Sequence, residues 1–267
     1  MKISTAFWGL LVLFFFLIGT LAFAGDDVKK LISDKSENWY QQGLQLKELG
    51  KYEEAIKCFD QAIAINPRFA DAWYYKGNAL YLLGKFEEAI KCYDKATDLN
   101  PKFIEAWYNK GHALEKLGQF NEAIAYFEKA IDLNPDYADA WYSKGVALQI
   151  LKKFKEAIEC FDKAIKINPE YAEVWINKGA ALGDLGKVEE EIACYDKAIQ
   201  INPESALAWY NKGLALRKQE KFEEAIECYD KAIKINPEFT EAWTNKGVAL
   251  RMLGKFEEAI KCYDDAI

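Results

Sequence analysis

Six cysteines and one histidine hold most of the nucleophilic and metal-binding chemistry this chain could offer. The cysteines are Cys58, Cys92, Cys160, Cys194, Cys228 and Cys262. Six cysteines could form a disulfide framework, and thiolates with histidine could hold zinc. Their spacing opposes both. Every interval is 34 residues or twice 34, so each cysteine has the same place in a recurring unit. Packed helices lie about 8–10 Å apart, whereas a disulfide needs Cα atoms within about 7 Å. The expectation is a small apolar side chain on a packed helix. His112 is the only histidine, and no serine or cysteine is evidently paired with it for nucleophilic catalysis. The glycines fall one per helix or turn and do not cluster into a phosphate-cradling loop. The chain is therefore read as non-enzymatic, with no catalytic residue, metal or cofactor expected.

The same interval governs the elements that carry these residues. Seven of the eight tryptophans stand at 39, 73, 107, 141, 175, 209 and 243, in steps of 34. All six prolines fall at 67, 101, 135, 169, 203 and 237, again in steps of 34. A repeat array follows, not a compact catalytic domain. Its units begin at Ser36, Ala70, Ile104, Ala138, Ala172, Ala206 and Thr240, and span 36–69, 70–103, 104–137, 138–171, 172–205, 206–239 and 240–267.

In the second unit, Ala72, Trp73, Leu80 and Leu83 have helical spacing, and Gly84 suits a left-handed C-terminal position. A second helix opens on Glu87 and Glu88, presents Ala89, Ile90, Tyr93, Ala96 and Leu99, and ends at Asn100-Pro101. One such pair cannot bury its apolar face alone, so neighbouring units must stack. Gly77 and its equivalents sit inside a helix, where glycine costs about 1 kcal/mol against alanine. Keeping it in every unit implies close helix approach. Glu191 stands where the other six units have alanine. It must be buried at a cost or push the fifth pair apart, and Glu191→Ala is expected to stabilise the protein.

Acidic residues number 42 against 35 Lys+Arg, with no basic run, so a nucleic-acid partner is not expected. Residues 1–24 lie outside the array. Lys2 precedes an uncharged stretch from Ala6 to Ala24 that closes on Ala22-Phe23-Ala24. This is the layout of a signal peptide, and residues 6–24 are also long enough for a membrane anchor. Both readings place the array outside the cytoplasm, secreted or tethered. Residues 25–35 are read as a linker.

On Trp73, Gly77, Leu80, Ala89, Tyr93, Ala96 and Pro101, repeated through 36–267, the chain resembles the tetratricopeptide repeat family. The resemblance implies an all-α, right-handed α-solenoid of antiparallel helix pairs. It also implies a concave groove lined by the first helices, where a peptide segment or partner protein binds. The groove candidates it marks are Tyr74, Asn78, Tyr108, Asn109, His112, Tyr142, Asn177, Tyr210, Asn211 and Asn245. On this expectation the tyrosines form a floor and the Asn amides pair bidentately with an extended backbone. Family members that bind chaperone tails hold a terminal carboxylate with a cationic clamp. Asn78 and Asn109 match its two asparagines, but Tyr74, Asp139 and Ser143 replace its cations, so that ligand is not expected. A tyrosine-lined carbohydrate site is the alternative. The last unit stops without a polar capping helix, which suggests self-association through the C-terminal repeat.

Overall fold

The computed structural model describes residues 30–266. The expected signal or anchor at 1–24 lies outside the described residues. The described part of the expected linker, 30–35, is helical and continuous with the first helix. Contacts divide the chain at Leu117/Gly118 into two compact units.

Unit one holds α1 (30–48), α2 (Tyr52–Ile65), α3 (Ala70–Leu82), α4 (Phe86–Leu99) and α5 (Ile104–Lys116). Unit two holds α6 (Phe120–Leu133), α7 (Ala138–Ile150), α8 (Phe154–Ile167), α9 (Ala172–Asp184), α10 (Val188–Ile201), α11 (Ala206–Lys218), α12 (Phe222–Ile235), α13 (Thr240–Met252) and α14 (Phe256–Asp264). No strand occurs among the described residues. The fold class is the expected α-solenoid of antiparallel helix pairs. None of the described helices is long and apolar enough to cross a membrane.

Each local signal has its expected outcome. Gly84 ends the turn after α3 at φ +74°, a region that suits glycine. Lys152 and Glu220 hold the same conformation, at φ 59° and 61°, where their repeats lack that glycine. Asn100 and its equivalents close the second helices, and each such Asn side chain accepts from the backbone N–H two residues on. The helical glycines explain themselves through one aromatic ring. A Cβ on Gly77 would stand 2.7 Å from the Tyr93 ring, and one on Gly145 2.5 Å from Phe161. Those rings are almost wholly buried, so the glycine is the hollow into which the second helix seats its ring.

The six cysteines are free and buried, and burial pushes the thiols of Cys92, Cys160, Cys194 and Cys228 up to about 11. A thiol that stays protonated is a poor nucleophile. They behave as the small apolar residues expected.

Two ladders tie successive repeats together. Each Trp from 73 to 243 donates its indole N–H to the carbonyl of the proline six residues before it, at 2.9–3.1 Å. One turn later, a lysine bridges back to an acid on the preceding second helix: Lys76–Asp60, Lys110–Asp94, Lys144–Glu128, Lys178–Asp162, Lys212–Asp196 and Lys246–Asp230. Lys76, Lys144, Lys178, Lys212 and Lys246 also lie over the ring of their own tryptophan, at 5.4–5.9 Å. Tryptophan thus serves as both a tether to the turn and a platform for the inter-repeat ion pair.

Candidate functional site

Within each unit, first helices of successive repeats touch one another, as α3 with α5 and α9 with α11, while second helices pack chiefly on the two first helices that flank them. The first helices therefore sit closer together and form the inner face. The groove candidates lie there.

The tyrosines and asparagines of this face are bonded to each other. Asn109 Nδ2 donates to the Tyr74 hydroxyl at 3.0 Å and to Asn78 Oδ1 at 3.0 Å. Asn177 donates to the Tyr142 hydroxyl at 3.0 Å and to the Glu173 carbonyl at 2.9 Å. Asn245 repeats this with Tyr210 at 3.1 Å and the Glu241 carbonyl at 2.8 Å. An amide nitrogen has two hydrogens, so in all three both donors are spent. Bidentate pairing with a peptide would need an N–H that these three residues have already committed. What they still present is the Oδ1 acceptor. The tyrosine rings are likewise engaged. Tyr74 packs on Phe103 at 4.6 Å, Tyr142 on Tyr171 at 5.3 Å and Tyr210 on Phe239 at 4.8 Å. Burial raises the Tyr74 and Tyr210 hydroxyls above their ordinary value.

Two places on the inner face depart from this closed ladder. The first is in unit one. A cavity of about 260 Å³ is lined by Lys47, Asn78, Tyr81, Leu82, Tyr93, Asn109 and His112. Asn78 Oδ1 accepts from the Tyr93 hydroxyl at 2.8 Å as well as from Asn109. Asn78 also hydrogen-bonds the Tyr74 hydroxyl, which acts against the rise that burial causes there. Lys47 stands over the Tyr75 ring at 5.0 Å. His112 is fixed by Glu115, Nδ1 to Oε2 2.7 Å, and by Tyr108, edge-on at 4.5 Å. His112 is a wall of this cavity. Asn78, Asn109 and His112 are thus brought together; Tyr108 joins them through the imidazole.

The second departure is in unit two, at the fifth repeat. Ile176 replaces the ladder tyrosine, and Ser205 replaces the aromatic residue that would have packed on it. Ser205 instead caps α11, its hydroxyl accepting from the Ala208 N–H at 3.3 Å. Asn211 has no hydroxyl opposite it, and its amide makes no hydrogen bond among the described residues. Of the four asparagines in this row, it alone keeps both donors.

The same repeat holds Glu191, which is 3% exposed. Helix α9 has room for it because its facing residue is Gly183. A Cβ there would lie 2.5 Å from the carboxyl carbon and 2.6 Å from both oxygens. So the fifth pair is not pushed apart; the carboxylate is buried over a glycine. Its contacts are long: Lys218 Nζ at 3.4 and 3.5 Å and the Tyr195 hydroxyl at 3.3 Å. Burial raises its pKa, with Lys218 acting against that rise. The same aromatic position behaves differently in the next repeat. The Tyr229 hydroxyl is buried without a hydrogen-bond partner among the described residues.

Leu82, which lines the cavity of unit one, and its equivalents Ile150 and Met252 are exposed by 53, 51 and 57% at one recurring position of the first helices. At the last second helix, Phe256 and Ile260 are exposed by 59 and 60%, whereas their equivalents Phe222 and Ile226 pack into the core.

Family models described as tetratricopeptide repeat match 104–137, 138–171 and 206–239, and again 160–193 and 228–261. A further model described as TPR repeat matches 43–84, 77–118 and 182–219. No curated protein sequence matches the chain. Among solved structures, the chain is similar to YrrB, described as a TPR protein with an unusual peptide-binding site. Identity is 29% over 69% of this chain and 95% of that one, with a TM-score of 0.58. It is also similar to MamA, at 27% identity over 62% of this chain and 96% of that one, TM-score 0.58. A fold likeness at 20% identity and TM-score 0.65 reaches the Cut9–Hcn1 hetero-tetramer of the APC/C, over 86% of this chain and 46% of that one.

Proposed function

Since this chain belongs to the tetratricopeptide repeat family, we propose that it is a non-enzymatic scaffold that holds a partner segment against its first helices. The observation that carries this reading is the unspent polar capacity of the inner face. Within unit two, Asn211 offers free amide donors, Asn177 and Asn245 offer acceptors, and exposed Ile150 supplies apolar contact. An extended peptide needs both kinds of group along its length. YrrB, the similar structure with a peptide-binding site, supports the same class of ligand. The tyrosines pack against other rings, which leaves less face for stacking a sugar, so the peptide reading is preferred over carbohydrate binding.

Two further parts of the reading rest on the sequence and on two exposed apolar side chains. The Lys2, Ala6–Ala24 and Ala22-Phe23-Ala24 pattern supports an extracytoplasmic protein, secreted or tethered through residues 6–24. The exposed Phe256 and Ile260 are where another copy of the chain would pack. A light-scattering mass that stays monomeric at high concentration counts against that contact.

Photoreactive residues at Tyr108 and Asn177 test the groove directly. Cross-links to bound peptide from these positions, and none from exposed sites on second helices such as Glu159, are expected. Cross-linking confined to the second helices would refute the reading.

A further inference from the structure

The fifth repeat changes several positions in concert, and the changes share a direction. Ile176 and Ser205 remove a ring pair from the inner face, Gly183 removes a side chain, and Glu191 adds a buried charge. Burying a carboxylate is costly unless it is closely paired. Charge-assisted N–H to carboxylate bonds run about 2.7–2.9 Å. Lys218 remains at 3.4 and 3.5 Å, with its side chain 50% exposed. The Tyr195 hydroxyl at 3.3 Å is also long. A carboxylate has about four lone-pair sites, and these two loose contacts leave capacity for a third, stronger donor. On the same helix as Lys218, about two turns nearer its start, Asn211 has both amide donors free.

We propose that Glu191 receives the ammonium or guanidinium group of a lysine or arginine in the bound partner segment, Lys218 swinging aside, while Asn211 pairs with that segment's backbone. The proposal rests on the groove reading and assigns that groove a chemistry, a basic side chain at the fifth repeat. Lys218 is then a placeholder. It neutralises the buried carboxylate while the groove is empty, and its half-exposed ammonium returns to water at little cost. The inter-repeat lysines of this chain close on their acids to 2.6–2.7 Å, which Lys218 does not.

The test is panning of a displayed random 12-residue peptide library against the full chain, with E191Q and K218A run in parallel. E191Q keeps the shape of the side chain and one acceptor oxygen and removes the charge. Enriched peptides are expected to share one Lys or Arg. Replacing that residue by norleucine should weaken binding about tenfold or more, the scale of a charged hydrogen bond, and E191Q should lose the same amount. K218A should bind these peptides more tightly, because the competing cation is gone. Weaker binding to K218A would overturn the placeholder role. Enriched peptides that bind the groove equally well in E191Q would overturn the proposal and leave the groove reading standing. Enrichment only of peptides that do not cross-link to Tyr108 or Asn177 would overturn both.

Discussion

Repeats two and five are cut to one 34-residue plan and use it differently. Repeat two places Tyr81 and Ala89 at two facing positions, and seats Tyr93 on Gly77 with its hydroxyl on Asn78. Repeat five places Gly183 and Glu191 at those same two positions, and seats Tyr195 on Gly179 with its hydroxyl on Glu191. The ring-on-glycine seat is common to both. What differs is the polar group beneath the inner face, an amide in one and a carboxylate in the other. The scaffold positions are therefore separable from the positions that give each repeat its chemistry.

The largest expected effect is on the shared feature. Gly77→Val drives a branched side chain into the buried Tyr93 ring, which has no room to retreat. It should cost about 3 kcal/mol by overpacking, read from chemical denaturation, and a loss under about 1 kcal/mol would show that the seat is not close-packed.

The next effect separates the two repeats. Gly183→Ala alone should destabilise by about 1 kcal/mol, because the carboxylate must leave its contacts. With Glu191→Ala already made, the same change should stabilise by about 1 kcal/mol, as alanine does over glycine inside a helix. Glu191→Ala by itself should also stabilise, since Lys218 is half-exposed and returns to water. A Gly183→Ala effect of the same sign in both backgrounds would remove the compensation from the account.

The raised pKa of Glu191 gives the comparison a pH signature. A carboxyl whose pKa is higher folded than unfolded binds its proton more tightly in the fold. Between the ordinary carboxyl value of 4.5 and that raised value, stability conferred by this group therefore grows as pH falls. The advantage of Glu191→Gln over the natural protein in melting temperature should shrink as pH is lowered through this window. An advantage that widens on acidification would mean the carboxylate is stabilised by its partners instead of penalised by burial.

The smallest effect concerns the inter-repeat lysines. Lys246→Ala removes a pair whose Asp230 side chain is 51% exposed. A loss of about 0.5–1 kcal/mol is expected, mostly screened away in high salt. A larger, salt-independent loss would make this ladder the main cohesion between repeats.

Much of this was legible before any coordinates. The steps of Trp39 to Trp243 set the helix pairs, Gly84 set a turn, and Gly77 announced a close approach that proved to be the Tyr93 ring. The cysteines were legible because their interval matched the repeat. Three things escaped. Asn109, Asn177 and Asn245 looked free because nothing in a sequence says that a side chain 35 residues away will take its donors. The Lys76–Asp60 ladder crosses between repeats, and its members look like ordinary surface charge. Glu191 stood out alone, yet its explanation, Gly183, stood in the same unit as another singular residue. Comparing departures from the repeat in pairs would have joined them, and Ile176 with Ser205 as well.

The most direct test of the central claim is hydrogen exchange on the full chain, with and without a peptide selected by panning. If the inner face is the binding site, amides of α9, α11 and α13 gain protection while α12 and α14 are unchanged. Protection confined to α12 and α14 would place the ligand on the outer face and contradict the account.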